Sequence, residues 1–160
     1  MKILGIDPGT GIMGFGVIEK QGAKLTMLDA GVIRTHKDES DEARLVEIHD
    51  CLQEIIAANK PEVMVIEKLF FGRNVTTVMT VSQARGIALL VGAQAKMQIH
   101  EYTPMQIKMA LTGYGKADKK QIQEMVRVIL GLKQIPKPDD AADALAAAVT
   151  FAHGSGTIGL

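Results

Sequence analysis

Ile3, Leu4 and Ile6 form an apolar run inside Lys2–Asp7, and Asp7-Pro8-Gly9 stops it, which predicts a first strand. Gly14–Lys20 and Lys24–Thr35 predict two more, joined by the hairpin-like link Gln21-Gly22-Ala23. Leu45, Ile48, Leu52, Ile55 and Ile56 repeat at helical spacing, so Asp41–Asn59 is predicted as a helix, with Cys51 on its apolar stripe. The run Val63-Met64-Val65-Ile66 does not alternate, as in a strand covered on both faces, and it ends at Glu67. Val75–Met97 predicts a long helix of about 35 Å. A short strand at Ile99–Tyr102 follows, then helices at Pro104–Leu111 and Lys119–Leu130 around a Gly113-Tyr114-Gly115 break. An Ala-rich helix spans Asp140–Ala152.

An antiparallel set of three strands, followed by two strands entered through helices, predicts a mixed sheet with helices on its faces. The fold class is therefore α/β. No linker or repeat interrupts it, so residues 1–153 are expected to form one domain, with residues 154–160 as a loose tail.

Composition agrees with a globular chain. Of 160 residues, 47% are hydrophobic and 22% charged, which is too apolar for disorder. Cys51 is the only cysteine, Met1-Lys2-Ile3-Leu4 opens no secretory h-region, and the most apolar stretch, 86–93, is far below the ~20 residues of a span. The expectation is a cytoplasmic protein with no membrane segment. Net charge is zero, yet residues 68–137 hold eleven Lys and Arg against three Asp and Glu. The same count is seven against twelve in residues 1–67, and none against three in residues 138–160. A basic middle between acidic flanks suggests a polyanion surface beside a carboxylate cluster; the plainer alternative is a solvated Lys-rich face.

Asp7 and Glu67 each end an apolar strand. If those strands are parallel neighbours, both acids leave the same edge of the sheet, where α/β proteins place their sites. As isolated residues they would be only a turn residue and an exposed strand end. Asp139, Asp140 and Asp143 stand at the mouth of the last helix, and Asp140 and Asp143 share a face. Acids there also suit a helix N-terminus, but the small residues around them allow close approach to a sheet. Four gathered carboxylates need a cation, and an all-oxygen donor set points to Mg²⁺, with Mn²⁺ as substitute, rather than zinc. Two such ions per site can serve the attacking water and the leaving oxygen of a phosphodiester. Metal-dependent hydrolysis of nucleic acid is the reading these placements support.

Gly9-Thr10-Gly11-Ile12-Met13-Gly14 matches a dinucleotide fingerprint in letters only, because it leads into a strand and not a helix. An actin-like phosphate turn is a distant rival, since that architecture needs a second sheet domain. Phe70, Phe71, Arg73 and Asn74 place aromatics beside basic and amide groups just after Glu67, suited to stacking on an unpaired base. Arg85, Lys108, Lys116, Lys119, Lys120 and Arg127 are candidate phosphate contacts; singly, each could be an ordinary surface cation.

Gly5-Ile6-Asp7-Pro8-Gly9, Ile66-Glu67 with Phe70 and Asn74, Gln83-Ala84-Arg85-Gly86, and Asp140 to Ala146 occur in one order across residues 2–152. Together they resemble the RuvC-type Holliday junction resolvases. The resemblance implies a ribonuclease-H-like fold, a five-stranded mixed sheet flanked by helices. It implies a homodimer that cuts two opposing strands of a four-way DNA junction symmetrically, leaving 5′-phosphate and 3′-hydroxyl ends. By position, Asp7, Glu67, Asp140 and Asp143 match the metal-binding catalytic acids, and Phe70 the aromatic that stacks at the junction centre. Lys108 and Lys119 match basic positions that hold DNA or the scissile phosphate. The long helix from Val75 matches the dimer-forming element. The family implies a RuvA–RuvB branch-migration partner and a T-rich cleavage sequence. Asp139 is a departure, and the reading takes Asp140 as ligand and Asp139 as cap; of Lys119 and Lys120 it favours Lys119. A branched-DNA binder without cleavage and a related nuclease acting on RNA are the alternatives.

Overall fold

The computed structural model describes residues 1–69 and 75–154. Five strands, β1 (Lys2–Asp7), β2 (Ile12–Gln21), β3 (Lys24–Arg34), β4 (Val63–Glu67) and β5 (Gln98–Tyr102), form one sheet in the order β3-β2-β1-β4-β5. β1, β2 and β3 pair antiparallel, whereas β4 runs parallel to both β1 and β5. The mixed sheet expected from the element order is what forms.

Five helices cover the two faces. These are α1 (Asp41–Asn59), α2 (Val75–Gln94), α3 (Pro104–Thr112), α4 (Lys119–Ile129) and α5 (Asp139–Gly154). Strand parity divides the core between them. Ile3, Val63 and Val65 pack with α3, α4 and α5, while Leu4, Ile6, Met64 and Ile66 pack with α1 and α2. Both faces of β1 and β4 are thus buried, which accounts for their unalternating sequences.

Local signals set most of the element ends. Ser40 caps α1 by accepting from the Ala43 N–H. Thr103 with Gln106, and Asp118 with Gln121, close capping boxes at α3 and α4. α2 stops at Gln94, three residues before the expected Met97. There Lys96 turns left-handed with φ 58°, and the Met97 N–H donates to the Gly92 carbonyl. This is a Schellman closure, a turn in which polar Lys96 stands in for the usual glycine. α5 starts at Asp139, one residue before the expected Asp140, and includes Gly154.

By length and composition α2 could cross a bilayer, with a mean hydropathy of 1.3 over 18 residues. That corrects the expectation that no segment reaches such a length. Its inward residues Ala84, Ala88, Val91 and Gly92 are buried, and mid-helix Arg85 pairs with Glu101 of β5. The helix is tied into the domain by this edge, while Val75, Met79 and Leu90 leave an apolar face exposed.

Candidate active site

Register brings the first two acids together. Ile6 pairs with Ile66, so Asp7 and Glu67 are the next residues on adjacent parallel strands. By parity both side chains leave the sheet on the side of Ile3 and Val65, which α5 covers. The other two acids arrive on α5. Gly14 lies directly opposite Asp7, and a Cβ there would collide with the Asp140 carbonyl. A Cβ on Gly5 would collide in the same way with the Ala144 carbonyl. The two missing side chains let α5 settle onto β1 and β2 at backbone contact, helped by a helix of mostly buried alanines. Asp140 and Asp143 therefore stand over the strand ends that carry Asp7 and Glu67.

Electrostatics bears out this convergence. The Asp7 carboxyl is pushed up to about 8, first by burial and then by Glu67, Asp143 and Asp140, against the pull of Lys119. Burial and Asp143 raise Glu67, with Lys119 and Lys108 opposing. Burial raises Asp143 as well, partly offset by Lys119. Glu67 lines two adjoining clefts. One, of about 220 Å³, also holds Asp7, Pro8, Lys68 and Pro104; the other, of about 230 Å³, holds Lys108, Lys119 and Asp143.

Lys119 Nζ sits 3.2 Å from Asp143 and 3.3 Å from Asp139. Burial works to lower its pKa, and the two carboxylates overcome this and raise it. Asp139 was expected to cap α5. It is instead the first residue of the helix, and it accepts a hydrogen bond from the Gln123 side chain at 3.1 Å. Its oxygens thus face α4, away from Asp7, whose neighbouring charges do not include it.

The basic candidates separate. Lys108 and Lys119 line the acid cleft, whereas Lys120 lines a neighbouring groove and Lys116 is exposed on the turn before α4. Arg85 and Arg127 are engaged, the first with Glu101 and the second with Glu124 and the Leu132 carbonyl. Phe70, Phe71, Arg73 and Asn74 lie outside the described residues. A brace that sequence reasoning missed supports the turn after Asp7. The Thr35 hydroxyl donates to the Thr10 carbonyl at 2.6 Å and accepts from Arg44 Nε at 2.9 Å. No local motif signals it, because its three residues come from separate elements.

The donor set suits a hard divalent cation. Four carboxylates meet without histidine or thiol, and Asp7 carries repulsion that one ammonium does not cancel. Among the described residues no three acidic, histidine or cysteine side chains are already closed into a cage. Lys119, bonded to Asp143, holds part of the position a cation would neutralise.

A family model for crossover junction endodeoxyribonuclease RuvC matches residues 3–151. The chain belongs to the RuvC family. The RuvC of Heliobacterium modesticaldum is 54% identical over 153 residues, covering 96% of this chain and 94% of its own length. That of Fusobacterium nucleatum is 50% identical over 157 residues, covering 98% and 83%. Among solved structures, Thermus thermophilus RuvC in complex with Holliday junction substrate aligns with a TM-score of 0.92 and 38% identity, covering 97% of this chain and 94% of that one. The yeast mitochondrial Holliday junction resolvase shares the fold, with a TM-score of 0.69, 13% identity and coverage of 96% and 80%. The five-stranded mixed sheet is thus the ribonuclease-H-like fold of the RuvC resolvases.

Proposed function

We infer that this chain is a structure-specific endodeoxyribonuclease that resolves four-way Holliday junctions by hydrolysing a phosphodiester in each of two opposing strands. The convergence of Asp7, Glu67, Asp140 and Asp143 at one sheet edge of a RuvC-family chain carries this reading. All four acids serve as catalytic carboxylates and would hold Mg²⁺, two ions per site, with Mn²⁺ as substitute. Bound there, the ions would polarise the scissile phosphate and make water a competent nucleophile near neutral pH. The carboxylates orient the water and the departing 3′-oxygen. Lys108 and Lys119, which line the same cleft as Glu67 and Asp143, hold the non-bridging phosphate oxygens as ammonium donors. Lys119 is held between Asp139 and Asp143, so a cation on Asp143 would leave Asp139 as its remaining carboxylate partner.

Phe70, with Phe71, Arg73 and Asn74, supplies the contact to unpaired bases at the junction centre, and Lys116 and Lys120 join the DNA-binding set, whereas Arg85 stays with Glu101. The exposed apolar face of α2 pairs with a second copy, so that two sites meet two strands. The nuclease domain spans residues 1–153, with α5 running on to Gly154. It works in the cytoplasm with a RuvA–RuvB branch-migration complex.

A labelled synthetic four-way junction and a matched linear duplex, each with Mg²⁺ and with EDTA, test this reading. Paired nicks in opposing strands of the junction alone, dependent on the metal, are expected. Asp7→Asn, Glu67→Gln and Asp140→Asn should each lose cleavage by ~10³-fold or more while still binding the junction; Asp139→Asn should stay within ~10-fold of wild type. Binding without nicks in Mg²⁺ or Mn²⁺ would leave a branched-DNA binding protein, and preferred cleavage of an RNA strand would redirect the substrate.

A further inference from the structure

Between α3 and α4 the chain turns through Gly113-Tyr114-Gly115, and this turn is held from within. Gly113 is left-handed at φ 70°, and its N–H donates to the Met109 carbonyl at 2.9 Å. The Thr112 hydroxyl lies 2.7 Å from the Lys108 carbonyl and 3.0 Å from that of Tyr114, and accepts from the Tyr114 N–H at 3.1 Å. The Tyr114 carbonyl also accepts from the Ala117 N–H at 3.1 Å. Both backbone groups of Tyr114 are therefore tied down while the side chain is 57% exposed. Exposed Met105 and Met109 flank it across Gly115.

Charge says what such a surface meets. Lys108, Lys116 and Lys120 surround the turn, and none has a carboxylate within ion-pair distance among the described residues. The hairpin's own acids are engaged, Asp118 in capping α4 and Glu124 with Arg127. Tyr114 and Lys120 line a groove of about 520 Å³ that shares Ala117 and Asp118 with the acid cleft. A rigid aromatic between unpaired ammonium groups, one wall away from the carboxylates, suits a nucleic-acid backbone and its bases better than an apolar protein partner.

We propose that Tyr114 is a DNA-contact residue that enters the minor groove of a duplex arm beside the scissile strand, with Lys116 and Lys120 on the flanking phosphates. A single projecting ring on a tight turn fits that groove, which at about 6 Å is too narrow for a helix. There the ring packs on sugars and base edges and sets where the arm leaves the cleft. The inference rests on the nuclease reading, because it supposes that duplex DNA lies across the acid cluster.

Junction and linear-duplex affinity measured in EDTA, across a salt series, tests it without cleavage. Tyr114→Ala should weaken binding of both substrates by roughly tenfold and leave the slope of affinity against salt unchanged. Tyr114→Phe should bind like wild type, and Lys116→Ala should lower the slope by about one. Hydroxyl-radical footprints with Tyr114→Ala should lose protection in one minor-groove patch. Unchanged affinity for Tyr114→Ala would overturn the contact, and an equal loss for Tyr114→Phe would overturn the packing of its ring in the groove. Mg²⁺ added to the bound wild-type complex tests the other reading separately. Failure to nick would sink the nuclease assignment and leave the Tyr114 affinity result standing.

Discussion

Asp7 sits in an environment that opposes its charge. An ordinary Asp releases its proton near 3.8, whereas here burial and three neighbouring acids hold it to about 8. Between those values the folded chain keeps a proton that the unfolded chain has lost, so stability falls as pH rises from about 4 to about 8. Without metal, the melting temperature should therefore decline across that window. Asp7→Asn should flatten the decline and stabilise the metal-free protein at pH 8 by on the order of 1–3 kcal/mol. Mg²⁺ or Mn²⁺ should raise the wild-type melting temperature at pH 8 but leave the Asn variant little changed. Calorimetry across pH, with and without the ion, checks both; a pH-independent melting temperature would contradict the burial argument. Asp139 shows how differently a neighbouring acid can behave. Next to Asp140 in the chain, it is exposed and bonded to α4, where it serves Lys119 and Gln123; its charge acts on Asp143 and not on Asp7.

Among the elements, α5 decides whether the four acids meet at all. Its alanines are ordinary helix formers, but their smallness matters chiefly because Gly5 and Gly14 meet them with no side chain. Gly14→Ala would set a methyl group against the Asp140 carbonyl, which is backbone and cannot turn aside. The helix must lift or tilt at its acidic end. A destabilisation of about 3 kcal/mol is expected in chemical denaturation. The loss of cleavage should persist at temperatures where the variant is fully folded, since a shift of about 1 Å in Asp140 is enough to disturb the site. Full activity in a folded Gly14→Ala variant would mean that the close approach is not what places Asp140. α3 and α4 contribute in a simpler way, each capped at its start so that Lys108 and Lys119 project into one cleft.

At the scale of the whole molecule, the exposed face of α2 is the feature one chain leaves unfinished. Val75 and Met79 are more than 60% exposed and Leu90 nearly half, on a helix whose opposite edge is sealed against the sheet. If that face joins two copies, Met79→Lys should shift the protein to monomer in sedimentation, with unpaired nicks replacing paired ones on a junction. A dimer that survives with Met79→Lys and Leu90→Lys combined would move the interface elsewhere. Arg85 belongs to this scale too. As a mid-helix cation it reads as a phosphate contact, but folding sets it against Glu101 of the edge strand, where it holds α2 in place.

Much of this protein is determined by residues that act on near neighbours. Apolar runs, caps and Pro-Gly stops mark every strand and helix to within a few residues, because backbone preference and burial of a stripe are local or periodic properties. Parity along two apolar strands even aims Asp7 and Glu67 at the same face, and the motif order carries the family likeness. Tertiary structure alone decides what depends on contact between distant segments. That Asp140 settles over Gly14, that Asp139 turns to Lys119, that Arg85 is taken by Glu101 and that Arg44 braces Thr35 all require packed elements. The elevated proton affinity of Asp7 is of the same kind, since it arises from burial and from charges that lie far apart along the chain and close in space.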